Sequence, residues 1–553
     1  MGGALDQHRA EVGMLQAGIA ALAGRKRPGR TLLALLPLVF LLVMVVAPLL
    51  RLAMEAFAAA PVASAQPFWL DSYLQWRVGW TVLQAALTCV LALVLGLPLA
   101  WVLARFEFAG RALVLRLLML PFVVPTLVAA MGVLALWGPR GSITALLGWN
   151  LQDTPWLLLY GNLFFNLCLV VRAAVEALER VSAARVAAAR SLGATPWRAF
   201  WRIEWPSVQP ALLSALCLVF LYCFSGFGLA LILGGQRYAT VEVEIYTLVA
   251  HELRLAPAGA LALGTLALTG AVALLYAVFE RRLATPGRAD RVARRRPHGP
   301  WQWLALALAM LLMLLVCAAP LLAILWRVAQ AFGSAGDVLL DEETHLALWN
   351  TLRFTCAAVL LATALGLAHA VAARRSAVLR AAAFLPFVVS PVTVAFGLLL
   401  LYPQWSASLP LLLAAYALMA YPFVAIGLGA ALDDQPLHLA LAARSLGASP
   451  RRVFWRVTLP MAMPALRRGM AFAAATAMGE FAVTLFLSRP EWTTLTTLIY
   501  QRLGRPGAVN RDSALVLAAL LMLLALAVFA LLDAGPRGAR PAVAPARGGA
   551  AHA

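Results

Sequence analysis

Residues 187–206 read Ala187-Ala188-Ala189-Arg190-Ser191-Leu192-Gly193-Ala194-Thr195-Pro196-Trp197-Arg198-Ala199-Phe200-Trp201-Arg202-Ile203-Glu204-Trp205-Pro206. The same outline returns at 441–460, through Leu441, Ala442-Ala443, Gly447, Ser449-Pro450, Phe454-Trp455-Arg456 and Pro460. In both copies an Ala-rich helix runs into a glycine, Gly193 or Gly447, the residue suited to a left-handed C′ position. Thr195 or Ser449 then supplies an N-cap oxygen, and Pro196 or Pro450 takes the first helical position. A short second helix is expected next, stopped by Pro206 or Pro460. Phe200 and Trp201, or Phe454 and Trp455, form a bulky apolar knob. Arg198 and Arg202, or Arg452 and Arg456, share a face. One such element would suit an interfacial amphipathic helix. Two with the same cap, prolines and aromatic pair suit docking into clefts of two identical partners.

The surroundings of this pair are apolar. Of 553 residues, 63% are hydrophobic and 12% charged, against about a quarter charged in soluble domains. A helix needs about 20 mostly apolar residues to cross a bilayer. Twelve candidate spans start near Thr31, Thr81, Leu113, Trp156, Ala211, Ala258, Leu304, Thr351, Ala381, Leu409, Gly469 and Ser513. The fourth and tenth are the weaker ones, interrupted by Asn162, Asn166, Tyr416 and Tyr421. The net charge of +20 is not spread as in a nucleic-acid binder; the arginines cluster in alternate connections, as orientation signals do. Lys26 and Arg27, Arg105 and Arg111, Arg185 to Arg202, Arg281 to Arg296, Arg374 to Arg380, Arg444 to Arg456, and Arg537 with Arg540 mark one side. The other side carries acids such as Glu242, Glu244, Asp341, Glu342 and Glu343. This places both termini in the cytoplasm of a bacterial inner-membrane protein. Ala63-Ser64-Ala65 resembles a signal cleavage site, but the preceding apolar run is too long for a signal peptide, and it is read as a span.

The chain repeats. Thr81-Val82-Leu83 with Gly96 and Arg105 is echoed by Thr351-Leu352-Arg353 with Gly366 and Arg375; Leu120-Pro121-Phe122-Val123-Val124 with Gly132 by Leu385-Pro386-Phe387-Val388-Val389 with Gly397. With the paired loops, three matches fall in the same order. The expected architecture is all-α and membrane-embedded, in two tandem six-span halves of like orientation related by a pseudo-twofold along the membrane normal. The expected boundaries are a cytoplasmic segment 1–30, halves 31–280 and 301–533, a linker 281–300 and a tail 534–553.

Chemistry is sparse. Cys89, Cys168, Cys217, Cys223, Cys317 and Cys356 all lie in apolar runs without a C-x-x-C pair, and the seven histidines lack i, i+4 pairing, so no metal site is expected. A P-loop needs a lysine on the phosphates; Lys26 is the sole lysine and is followed by Arg27. The chain is therefore expected to hydrolyse no nucleotide, and no cluster suits an enzyme. Inside the eleventh span lies Glu480, whose first-half counterpart is Gly226; a carboxylate at that depth needs a cavity or a partner. It is the first candidate for contact with a cationic solute. Tyr222, Phe224 and Phe227 offer rings for stacking, against plain helix packing. Asn162 and Asn166, i, i+4 on one face, suit solute contact or interhelical hydrogen bonding.

The paired loops resemble the signature of permease subunits of binding-protein-dependent ABC importers: Glu-Ala-Ala, three residues, Gly, then about nine residues to Ile-x-Leu-Pro. Ala188, Ala189, Gly193, Ile203 and Pro206 match one copy; Ala442, Ala443, Gly447, Val457, Leu459 and Pro460 match the other. The leading Glu is replaced by Ala187 and Leu441. The resemblance implies coupling helices seated on two copies of a cytoplasmic ATP-binding subunit that holds the Mg-ATP, and a periplasmic solute-binding protein on the far face. It implies alternating access driven by hydrolysis on those partners. Two halves on one chain resemble the thiamine and ferric-iron importers. Asn162 to Leu167, Ile203 to Pro206, and Leu233-Gly234-Gly235 followed by Ala239 to Glu242 look closer to the thiamine type. A secondary transporter also uses internal repeats, but would be expected to carry ion-coupling residues in both halves.

Overall fold

The computed structural model describes residues 28–58, 71–283, 294–374, 376–487 and 489–533. The expected basic segment before Pro28, Ala63 to Ala65, Arg375 and the tail beyond Asp533 lie outside them. The regular structure of the described residues is helical, with one isolated β-bridge, between Phe106 and Arg295.

The spans are α1 (Ala34–Phe57), α2 (Ser72–Arg105), α3 (Thr126–Leu147), α4 (Pro155–Glu179), α5 (Trp197–Phe224), α6 (Leu255–Glu280), α7 (Pro300–Gln330), α8 (Glu342–Ala373), α9 (Ala377–Val388 with Pro391–Leu401), α10 (Leu409–Asp433), α11 (Leu459–Met478) and α12 (Ala508–Asp533). Ten are long and apolar enough to cross a membrane, and α9 becomes an eleventh if its two arms, bent by 93°, are one span. In α11 the adjacent Arg467 and Arg468 dilute the apolar run. Against the twelve expected spans, these are the two that do not pass as single crossing helices by length and composition. The elbow in α9 has a local cause. Ser390 is extended (φ −68°, ψ 149°), as the residue before a proline tends to be, and Pro391 opens the second arm. The first half bends at the same place, where Val124 is extended ahead of Pro125.

Prolines also correct the loop reading. Pro206 and Pro460 do not stop the second loop helix, which runs on into α5 and α11. Ahead of each lies one widened turn, in which the residue before the proline donates back five residues: Trp205 N–H to Phe200 O and Leu459 N–H to Phe454 O. A proline lacks the N–H and crowds the carbonyl four residues back; a π turn takes up that misfit without ending the helix. The same device precedes Pro48 in α1 (Ala47 N–H to Leu42 O) and Pro320 in α7 (Ala319 N–H to Leu314 O). Hence α5 begins near Trp197, and α11 at Leu459, well before the expected Ala211 and Gly469.

The first half packs α2 on α4, α4 on α5 and α5 on α6; the second half packs α8 on α10, α10 on α11 and α11 on α12. The opening spans are exchanged. α1 lies between α6 of its own half and the Pro391–Leu401 arm of the other, while α7 lies between α12 and α3. The spans called weak, α4 and α10, are the most enclosed, with 72% of their apolar windows buried. Their polar residues point inward, where only a bundle interior accepts them.

Candidate functional site

Between the halves lies a cavity of about 260 Å³. Both of the broken third spans reach it, through Phe122, Thr126, Phe387 and Pro391, and so do the ends of α5 and α11. There the helices stop. α5 ends at Phe224 and a short helix Gly228–Leu233 follows; α11 ends at Met478, before Ala482–Leu487. Glu480 sits in the second break, so it is not within a span as expected. Glu480 lines the cavity and is 7% exposed, while its Oε1 accepts from Val483 N–H at 3.0 Å. The residue thus lines the cavity while its side chain caps the start of the next short helix, a bond within its own segment rather than to a partner on a neighbouring helix, the alternative to a cavity role.

Asn162, Asn166, Tyr222 and Phe227 also line the cavity. Asn162 Nδ2 donates to Gln84 Oε1 at 2.7 Å, and Gln84 Nε2 donates to Cys223 O at 2.9 Å, tying α4 through α2 to the frayed end of α5. Asn166 Nδ2 donates to Asn162 O at 2.9 Å, while its Oδ1 is buried with no hydrogen-bond partner. Phe224 does not reach the cavity. It stacks on Phe220 at 5.8 Å and packs in the core formed with α2 and α4, as helix geometry allows when successive residues of one turn point in different directions.

Several residues here were not singled out from the sequence as path residues. Phe122 and Phe387 stand in the Leu-Pro-Phe-Val-Val repeat, whose duplication was their signal. Phe423 and Phe472 belong to one half alone and carry none. Glu242 and Glu244, read as acids of a connection on the arginine-poor side, are buried on the helix Val241–Ala250. Ser390 Oγ donates to Glu242 Oε2 at 2.6 Å across the halves; Glu244 pairs with Arg77 Nε at 3.3 Å and accepts from Tyr73 OH at 2.9 Å. Those partners are what make buried carboxylates tolerable.

The repeated threonines hold the equivalent helices. Thr81 Oγ1 accepts from Val241 N–H and Thr351 Oγ1 from Leu495 N–H, both at 2.9 Å; each hydroxyl donates to the carbonyl four residues back at 2.7 Å. The helices Val241–Ala250 and Leu495–Gly504 thus take the same place in the two halves.

At the far end of α5 and α11 stand the paired loops. Ala188 and Ala189 lie in the helix Ala183–Ser191, Ala442 and Ala443 in Leu437–Ser445. Gly193 and Gly447 have φ of +83° and +82°, and Thr195 Oγ1 and Ser449 Oγ each accept from the backbone N–H three residues on, at 3.3 Å. Pro196 and Pro450 open the following turns. Phe200 and Trp201 contact at 5.4 Å, and Phe454 and Trp455 at 5.5 Å. Leu192 and Leu446, not singled out before, are 89% and 87% exposed. Neither is lipid-length helix; each is a bare leucine at a loop tip. In the first half Arg105 pairs with Glu204 at 2.5 Å, holding the loop to the end of α2, and Arg111, in the connection after α2, pairs with Glu179 at the end of α4 at 2.7 Å. Arg294 joins them through Glu107 and Glu179, at 3.0 and 3.1 Å.

The sequence profile described as "Binding-protein-dependent transport system inner membrane component" matches twice, at residues 92–285 and 295–534. The thiamine transport system permease protein ThiP of Brucella abortus is 31% identical over 90% of this chain and 94% of its own length. Its namesake from Salmonella typhimurium is 27% identical over 88% and 95%. A crystallised bacterial ABC transporter for import of the acidic polysaccharide alginate overlaps 45% of this chain and 93% of the matched chain, at 17% identity and a TM-score of 0.38. With two copies of one transport domain on a single polypeptide, arranged around a central cavity, this chain belongs to the inner-membrane components of binding-protein-dependent transport systems.

Proposed function

We propose that this permease moves thiamine or its phosphates into the cytoplasm, taking the solute from a periplasmic binding protein. The observation that carries this is the cavity between the halves, where Glu480 is set among aromatic rings. A carboxylate beside ring faces suits a flat organic cation, by charge and by cation–π attraction. The volume, about 260 Å³, lies just below the usual range of ligand sites, which starts at about 300 Å³, in keeping with a compact solute. The named relatives support the same solute.

In this reading the loops around Gly193 and Gly447 seat on two ATP-binding subunits, which hold the Mg-ATP. The exposed Leu192 and Leu446 and the aromatic pairs behind them supply apolar knobs of the kind that anchor an interface. Because the helix carries through Pro206 and Pro460 into α5 and α11, displacement of either loop is delivered along a helix that ends at the cavity. The loops and both termini then face the cytoplasm.

The test is uptake into proteoliposomes containing the full chain with its ATP-binding subunit, supplied with loaded binding protein and ATP. ATP-dependent accumulation of radiolabelled thiamine, with none of ferric citrate, is the expected result. Accumulation of iron without thiamine would replace the solute, and ATP-independent accumulation would remove the coupling.

A further inference from the structure

Phe227 and Phe481 occupy equivalent places, each the last residue of the break that follows its half's fifth span. Their rings stack on one another, centroids 5.8 Å apart and planes at 24°. A side chain can touch its own symmetry mate only close to the axis relating the halves. The pair therefore lies on the pseudo-twofold, where a path between the two halves must run. Behind each ring stands a tyrosine, again at equivalent places: Tyr246 lies 5.5 Å from Phe227 and Tyr500 lies 5.2 Å from Phe481. The result is a row of four rings across the axis, with Phe227 and Phe481 4% and 2% exposed.

A second set of rings crosses the cavity nearer the loops. Phe122 contacts Phe472 at 5.8 Å, Phe472 contacts Phe423 at 6.0 Å, Phe423 contacts Phe387 at 5.2 Å, Phe387 contacts Tyr222 at 6.5 Å, and Tyr222 returns to Phe122 at 5.9 Å. These five rings close a circuit drawn from both halves. From Phe472 to the end of α11 at Met478 is roughly 9 Å of helix, so the circuit and the row sit at different depths. The cavity residues Glu480, Asn162 and Asn166 belong to the space these rings border.

We propose that the row Tyr246–Phe227–Phe481–Tyr500 is the seal of the translocation path on the side away from the loops, and that it opens when Phe227 and Phe481 part across the axis. An apolar constriction of this kind stops ions and water by dewetting, and stacked rings close without needing a charge or a hydrogen bond to be broken. Each phenylalanine is the last residue of the break in its own half, so the rings separate when the two fifth spans diverge. The proposal rests on the cavity being the solute path, but on neither the identity of the solute nor the docking of the loops.

The test uses the full permease in liposomes, without ATP, binding protein or ATP-binding subunit. Passive entry of radiolabelled tetramethylammonium is compared in the natural sequence, in the double variant F227A/F481A, in F227Y/F481Y, which keeps both rings, and in F224A, which removes a ring outside the cavity. Only preparations that stay monodisperse are compared. Entry rising several-fold in F227A/F481A alone is expected; an unchanged rate there overturns the proposal. A second arm uses F227C/F481C in the complete transport complex. Oxidation should link the cysteines and stop uptake, and dithiothreitol should restore it. Cysteines that do not link, or uptake that persists once they have, also overturn it.

Discussion

Gly132 lies so near Pro320 that an added Cβ would stand 2.8 Å from the proline's carbonyl oxygen; in the other half Gly397 meets Pro48 in the same way, at 2.9 Å from its Cβ. These are the points where the exchanged first spans cross the third spans. Small residues let helices approach this closely where no hydrophobic drive favours one apolar neighbour over another. Backbone stands on the other side of Gly132, so it has little room to yield.

From this, Gly132→Leu and Gly397→Leu should each lower stability by about 1–3 kcal/mol, the usual range for overpacking. A drop in the unfolding temperature of the detergent-solubilised chain checks it. Gly264→Ala and Gly270→Ala on α6, where an added Cβ meets nothing within 4 Å, should leave that temperature unchanged or raise it. Equal effects at all four sites would show that close approach is not what selects the glycines.

Gly193 and Gly447 depend on a different property. Nothing stands within 4 Å of an added Cβ at either, yet both are left-handed. Gly193→Ala and Gly447→Ala should therefore cost about 1–2 kcal/mol in loop geometry, without disturbing the bundle. The expected outcome is weakened co-purification of the ATP-binding subunit with the unfolding temperature of the permease preserved. Asparagine, which tolerates this conformation better, should retain more binding than alanine.

For Glu480, two substitutions separate charge from capping. Glu480→Gln keeps an oxygen for the Val483 N–H, now accepted at 3.0 Å, but removes the negative charge. It should lower the uptake rate of a cationic solute while the protein remains as stable. Glu480→Ala loses the acceptor too, and should lower both the rate and the unfolding temperature. A Gln variant transporting at the natural rate would reduce the residue to its capping role.

Thr81→Val and Thr351→Val should each leave a buried N–H, of Val241 or Leu495, without its acceptor. An unsatisfied buried donor costs about 1–3 kcal/mol, so hydrogen exchange at those amides should accelerate and the unfolding temperature fall. Serine at either position should restore most of the loss.

Much of this arrangement was legible in the residues. Apolar run length placed the spans because a bilayer satisfies no backbone group outside a helix. Duplicated caps at Thr195 and Ser449 were readable because capping is local. The threonine repeat at Thr81 and Thr351 was visible as a pattern, though its work on helices about 150 residues away was not. Pro206 and Pro460 misled, since the widened turn that carries a helix through a proline depends on its neighbours. The exchange of α1 and α7 had a signal that went unread, Ala-Pro-Leu-Leu at 47–50 and again at 319–322.

The sequence by itself determined that this chain is a membrane-embedded helical protein in two like halves with paired surface loops, because periodicity, charge placement and capping act over a few residues. The tertiary structure alone decided which residues meet at the axis: that Phe224 faces the core while Phe227 meets Phe481, that Glu242 is buried against Ser390, and that five rings from both halves close a circuit. Those meetings depend on where helices distant in the chain cross, and that is set by packing summed over the whole bundle.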